Sequence, residues 1–293
     1  MKEKTDIRPS PIAGQWYSSD PRVLASEVDG YINNARAPRL EGDVVAVVAP
    51  HAGHLYSGQV AGYAFAVLKG ISPEVVVVVS PMHHPYYEEL LTTKHAAYET
   101  PLGIIPVDRY ALEELSASLE TNSGIRIVPV ARDSEHSIEI ELPFLQRALG
   151  NPFRILPVMV RDQSVRVARA LGNALADLFQ AGGALANSRP LFVASTDLSH
   201  FYTQTQANAL DQKMLEVIKS FDPERVIKLD ESGEGFACGR GAVAAVLWAT
   251  KNLGADSVHI LHYATSGDVS GDYSSVVGYG SAVVTREKNY LSK

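Results

Sequence analysis

Two stretches of this chain read as strands buried on both faces, and they fix the class of fold. Val44-Val45-Ala46-Val47-Val48-Ala49 and the five valines at 75–79 are continuous apolar runs, β-branched almost throughout. A strand with one face in water alternates apolar and polar residues; an unbroken run belongs to a sheet covered on both sides, as in mainly parallel α/β folds. Between the two runs the spacing predicts a helix over 57–68. Upstream, Asp20-Pro21 opens another, with Asp as N-cap and Pro at the first position. Its apolar residues Val23, Leu24, Val28, Tyr31 and Ile32 share one face.

The alternation continues. The pattern predicts a helix near 108–118, a strand near 125–130, a helix starting around Glu135, a strand over 153–160 and a long amphipathic helix over 165–179. A buried strand at 190–194 follows, then helices near 204–220 and 242–253. The last two strands, 258–264 and 275–285, have no long helix between them and read as an antiparallel pair. No tandem repeat or long Gly/Ser linker divides the 293 residues, so one domain is expected over 1–293. The expected fold is α/β: a three-layer α/β/α sandwich with a mixed, mainly parallel central sheet and antiparallel C-terminal strands.

Composition narrows the function classes. The net charge of −7 argues against a nucleic-acid backbone or an anionic membrane as partner. Residues Met1 to Asp6 are charged and lack the apolar stretch of a signal peptide, and no apolar run approaches the ~18 residues of a spanning helix. A soluble, cytoplasmic protein is expected. A single cysteine, Cys238, excludes an intrachain disulfide, a CxxC pair and a zinc finger.

Chemistry-bearing residues collect just past the buried strands. His51 follows the first in Ala49-Pro50-His51-Ala52-Gly53, and His83 and His84 follow the second in Ser80-Pro81-Met82-His83-His84. Asp197 and His200 follow the strand at 190–194. Open α/β sheets place ligand sites at the carboxyl ends of their strands, so these imidazoles should share one crevice, which favours a metal site. His51 and His83 are the ligand candidates. His84 and His54 read as supporting or surface residues, and His95, His259 and His262 as structural. Cys238, in Gly235-Phe236-Ala237-Cys238-Gly239-Arg240-Gly241, precedes a helix start beside Arg240. It reads equally as a nucleophile, a soft metal ligand or an inert buried thiol. His136 and Glu139 lie three apart, so on a helix they share a face and form a candidate active-site pair. No Walker A, GxSxG, dinucleotide or His-Glu-x-x-His motif occurs.

Assembled, these blocks resemble the Memo family, bacterial and archaeal relatives of the human mediator of cell motility. The resemblance runs nearly the whole length. It rests on Pro11-Ile12-Ala13-Gly14-Gln15-Trp16-Tyr17, Ala49-Pro50-His51-Ala52-Gly53, Ser80-Pro81-Met82-His83-His84, Glu135-His136-Ser137-Ile138-Glu139, Ser195-Thr196-Asp197-Leu198-Ser199-His200 and Cys238-Gly239-Arg240. It implies a fold like that of class III extradiol ring-cleaving dioxygenases, in which two His and one Glu hold Fe(II). It further implies His51, His83 and Cys238 as metal ligands and His200 as the acid/base, with Asp197 orienting His200 or the bound ligand. Tyr56, His84 and Arg240 are expected to touch substrate. A thiolate in place of the carboxylate softens the site, so iron or copper is expected, with zinc the alternative.

The leading reading is metal-dependent redox chemistry on a small molecule. Two rivals are a binding module for a peptide or small ligand, walled by Trp16, Tyr17 and Tyr56, and a zinc-dependent hydrolase. Bacterial relatives are described beside radical-SAM and AMMECR-type proteins, so the resemblance also implies a shared pathway with them.

Overall fold

The computed structural model describes residues 6–287. The charged segment 1–5, on which most of the signal-peptide argument rests, lies outside the described residues. In chain order the elements are β1 (Ile7–Arg8), α1 (Pro21–Asn34), β2 (Asp43–Ala49), α2 (His54–Ala66), β3 (Val75–Pro81), β4 (Leu90–Thr93), β5 (Ala97–Thr100), β6 (Gly103–Pro106), α3 (Arg109–Ser123) and β7 (Ile127–Val130). There follow α4 (Leu142–Ala148), β8 (Arg154–Val160), α5 (Val165–Phe179), β9 (Pro190–Ser195), β10 (His200–Tyr202), α6 (Gln204–Lys219), α7 (Pro223–Glu231), α8 (Arg240–Asn252), β11 (Ser257–Thr265), α9 (Gly267–Ser270) and β12 (Val276–Arg286).

The main sheet runs β10-β12-β2-β9-β3-β8-β4-β7, with β11 on the other side of β12. Its centre, β2-β9-β3-β8, is parallel; β12 is antiparallel to both β2 and β11, and β4 is antiparallel to β8. The valines at 75–79 are fully buried, as unbroken apolar runs require, because helices cover both faces. One layer is α1, α2 and α4; the other is α5 and α8, flanked by α3, α6 and α7. A smaller sheet, β1-β5-β6, flanks the main one.

Helix starts follow their caps. The Asp20 carboxylate accepts from the Arg22 and Val23 amides at the start of α1, and Ser164 accepts from Val167 at the start of α5. No helix among the described residues is long and apolar enough to cross a membrane. The expected helix starting at Glu135 is not there. That segment is a loop, and helical structure begins with a 3-10 turn at Glu139–Glu141 leading into α4.

Candidate metal centre

Parallel pairing brings three strand ends to one edge. Ala49 is in register with Ser195 and Val79 with Ala194, so the chain leaves β2, β3 and β9 side by side. His51 follows β2, His83 follows β3, and Asp197 follows β9. Two loops complete the crevice. One, between β7 and α4, supplies Glu135 and His136. The other, before α8, supplies Cys238 and is stitched to the end of β9: the Cys238 amide donates to the Asp197 carbonyl (3.1 Å), and the Gly239 amide donates to Thr196 Oγ1 (2.9 Å).

His51, His83 and His136 each offer a ring nitrogen, and these atoms all lie within 4.8 Å of one another. The rings of His83 and His136 stack at 4.9 Å, and His51 meets both edge-on at 5.2 and 5.4 Å. Each ring is tied back through Nδ1. His51 Nδ1 is 2.9 Å from Ser195 Oγ; His83 Nδ1 is 3.0 Å from Glu135 Oε1, and His136 Nδ1 lies 3.3 Å from the same oxygen. At His51 this leaves Nε2 free to face Cys238, the kind of second-nitrogen tie that metal-binding histidines use. Cys238 Sγ stands 3.1 Å from His51 Nε2 and accepts from the Asp197 amide at 3.1 Å.

Glu135 organises the cluster. Its carboxylate accepts from the amides of His83 (2.6 Å), His136 (2.9 Å) and Ser137 (3.0 Å) and from the Ser137 hydroxyl (2.8 Å), as well as from His83 Nδ1. Burial alone would raise its pKa, but the His83 hydrogen bond and charge outweigh burial and hold it well below the usual carboxylate range. In return Glu135 raises His83 against the burial that would lower it. Burial dominates at the other two rings. His51 is pushed well down, with His136 and His83 adding to the effect, and His136 falls to about 4 despite Glu135. Neutral imidazoles, with lone pairs free, are the metal-binding form. The Cys238 thiol is pushed up by burial and by the neighbouring Asp197 carboxylate; a bound cation would oppose both. Three imidazole nitrogens at this spacing can hold a metal ion, so the residues present fit one.

Residues 8–283 match the family described as Memo-like protein. The chain belongs to the Memo family. A MEMO1 family protein of Nitrosopumilus maritimus is 36% identical over 281 residues, covering 94% of this chain and 98% of the relative. Another, from Methanopyrus kandleri, is 35% identical over 291 residues, covering 95% and 99%. The crystal structure of an uncharacterized Escherichia coli K12 protein, JW3007, superposes with a TM-score of 0.50 at 14% identity over 82% of this chain and 100% of that one, a likeness of fold.

In this Memo-family chain, some expected neighbours stand together and others do not. His51 and His83 stand together with His136 as a third imidazole, while Cys238 meets His51 at 3.1 Å and is not part of that three-nitrogen group. Asp197 does not orient His200. Its Oδ1 accepts from the His51 amide at 2.8 Å, while His200 Nδ1 donates to the Leu198 carbonyl at 2.9 Å. Burial raises Asp197 to about 7, against the lowering effect of the His51 and Ala52 amides. Glu139 does not pair with His136, because the helix that would align them begins too late. Its carboxylate meets Arg8 Nη1 at 2.6 Å, Ser10 at 2.6 Å and Tyr17 at 2.8 Å, neutralising a guanidinium that is 1% exposed. Arg240 is ion-paired with Asp230 at 2.6 Å, and His84 Nε2 lies 3.1 Å from the Ser134 hydroxyl. Tyr56 is exposed on α2. Trp16, read as a wall, lies 4.2 Å from the His136 ring.

Three residues were missed: Glu135, Ser195 and Glu141. Glu135 stood inside a block already singled out, and its acid-before-His spacing was the available signal. Ser195 likewise opens the block that ends in His200, whereas nothing in the spacing marks Glu141.

Proposed function

We propose that this protein binds one transition-metal ion, iron or copper, through His51, His83, His136 and Cys238, and uses it to oxidise a small molecule with dioxygen as the electron acceptor. The observation that carries the reading is the set of three imidazoles whose ring nitrogens lie within 4.8 Å of one another, with the Cys238 thiol against His51. Such an ion supplies Lewis acidity and one-electron chemistry at the open edge of the crevice.

The protein's own groups do the rest. Ser195 and Glu135 hold the ring orientations. His83 is exposed on one side, so a substrate has access there. His200, kept neutral by burial and with Nδ1 committed to Leu198, presents Nε2 as a proton acceptor. Asp197 fixes the Pro50-His51-Ala52 turn instead of serving as the proton carrier.

The test is metal content. Protein purified anaerobically without chelator, then dialysed and titrated with Fe(II), Cu(II) and Zn(II), should retain one equivalent of iron or copper, and the His51→Asn/His83→Asn double variant should retain none. Preferential retention of zinc would turn the reading toward hydrolysis. No stoichiometric retention of any of the three would end it.

A further inference from the structure

Glu141 is a completely buried acid that the proposed chemistry does not use. It closes the 3-10 turn before α4, and its Oε1 lies 2.8 Å from Ser195 Oγ. Its Oε2 is buried with no hydrogen-bond partner among the described residues. Ser195 Oγ has two further neighbours, the Ser137 carbonyl at 2.7 Å and His51 Nδ1 at 2.9 Å.

Counting hydrogens decides the protonation of this group. Ser195 has one hydroxyl hydrogen. The Ser137 carbonyl can only accept, so at 2.7 Å it takes that hydrogen. Ser195 Oγ then has two lone pairs for its two remaining neighbours, and each of those must bring a hydrogen of its own. His51 brings Nδ1–H, and Glu141 must bring Oε1–H. An ionised Glu141 breaks the count. It would draw the serine hydrogen to itself, leave two oxygens 2.7 Å apart with no hydrogen between them, and strand a half-charged Oε2 in the interior without a donor.

We propose that Glu141 is carried as a neutral carboxylic acid that donates to Ser195, making it a positioning residue for His51. The donation turns the Ser195 hydroxyl toward Ser137 and keeps its lone pairs for His51 Nδ1–H. His51 is thereby held in the tautomer whose Nε2 faces Cys238 and the other two imidazoles. Burial supports the assignment by pushing the carboxyl well above its ordinary range, with Asp197 acting the same way. The consequence for the ion rests on the metal reading above, whereas the protonation state does not.

The experiment separates the two. Infrared spectra of the metal-free protein at pH 7 should contain a neutral-carboxyl C=O band that shifts on 13C-glutamate labelling and disappears in Glu141→Gln. Because a glutamine NH2 can donate to Ser195 as the acid does, Glu141→Gln should keep the wild-type His51 tautomer by 15N NMR and bind Zn(II) within about twofold of wild type. Ser195→Ala, which removes the acceptor, should lose the tautomer preference and weaken Zn(II) roughly 10–100-fold. Absence of a Glu141-dependent neutral-carboxyl band, or a Glu141→Gln variant as impaired as Ser195→Ala, would overturn the proposal. The band and the tautomer stand even if no metal binds, so a failure of the metal reading would be seen separately.

Discussion

Cys238 Sγ stands 3.1 Å from His51 Nε2, with the Asp197 amide donating to the sulfur from the end of β9. The contact couples the loop before α8 to the end of β2 and places the chain's one thiol where an ion on His51 would meet it. Cys238→Ser is nearly isosteric, so the metal-free protein should lose about 1 kcal/mol or less. Metal affinity should fall much further, because a neutral hydroxyl is a poor ligand for a soft ion. Melting curves with and without added metal check this: the metal-induced rise in Tm should shrink in the variant while the metal-free curves stay close.

Glu135→Gln should weaken metal binding by roughly 10–100-fold, because one carboxylate anchors the His83 ring and three amides around the site. It should also lower the His83 pKa, since the Glu135 bond is what holds that ring up against burial. An NMR titration of the His83 ring in the metal-free variant reads the second effect directly.

The pH profile of stability carries the mark of His54. Its ring is buried against Tyr17 and Phe144, donates from Nε2 to the Ile140 carbonyl, and has a pKa lowered to about 4 by burial despite that bond. Between about 4 and 6.5 the unfolded chain therefore binds a proton that the folded chain does not. Stability should fall as pH drops through that window, by on the order of 3 kcal/mol from this residue at about 1.4 kcal/mol per unit. His54→Phe keeps the ring contacts and removes the proton site. Urea unfolding at pH 7, 6, 5 and 4 should show a flatter profile for the variant, even if it is less stable at pH 7 for want of the Ile140 bond.

Gly239 lies so close to the end of β9 that a Cβ there would sit 2.3 Å from the Ser195 carbonyl oxygen and 2.9 Å from Thr196 Cβ. Backbone cannot yield as a flexible side chain does. Gly239→Ala should cost about 1–3 kcal/mol by overpacking and push Cys238 away from His51. Denaturant melts and metal titration of this variant should therefore both deteriorate.

The sheet was legible because its centre is written in unbroken valine and alanine runs, which only a doubly covered parallel strand explains. The short strands β4 to β6 were not. They run four residues each, too short to show an apolar period; β4 pairs with β7 and β8 and β5 with β1, all distant in sequence, and only the β5–β6 hairpin is local. The site was legible where chemistry follows a strong strand, as at His51 and His83. It failed at Glu135 to Glu139, where helical spacing was assumed for a loop. Glu139 answers to Arg8, 131 residues away, and Glu135 turns inward to His83, 52 away. Such partners follow from tertiary packing and leave no trace in spacing.

The central claim is that an ion sits between the three imidazoles and the thiol. The most direct measurement is anomalous scattering from crystals grown with Fe(II) or Cu(II), collected at that metal's absorption edge. The account predicts one strong peak past the ends of β2, β3 and β9, about 2.0–2.3 Å from Nε2 of His51 and His83 and from at least one of His136 Nε2 and Cys238 Sγ. Peaks confined to surface histidines such as His259, with none among His51, His83 and His136, would contradict it.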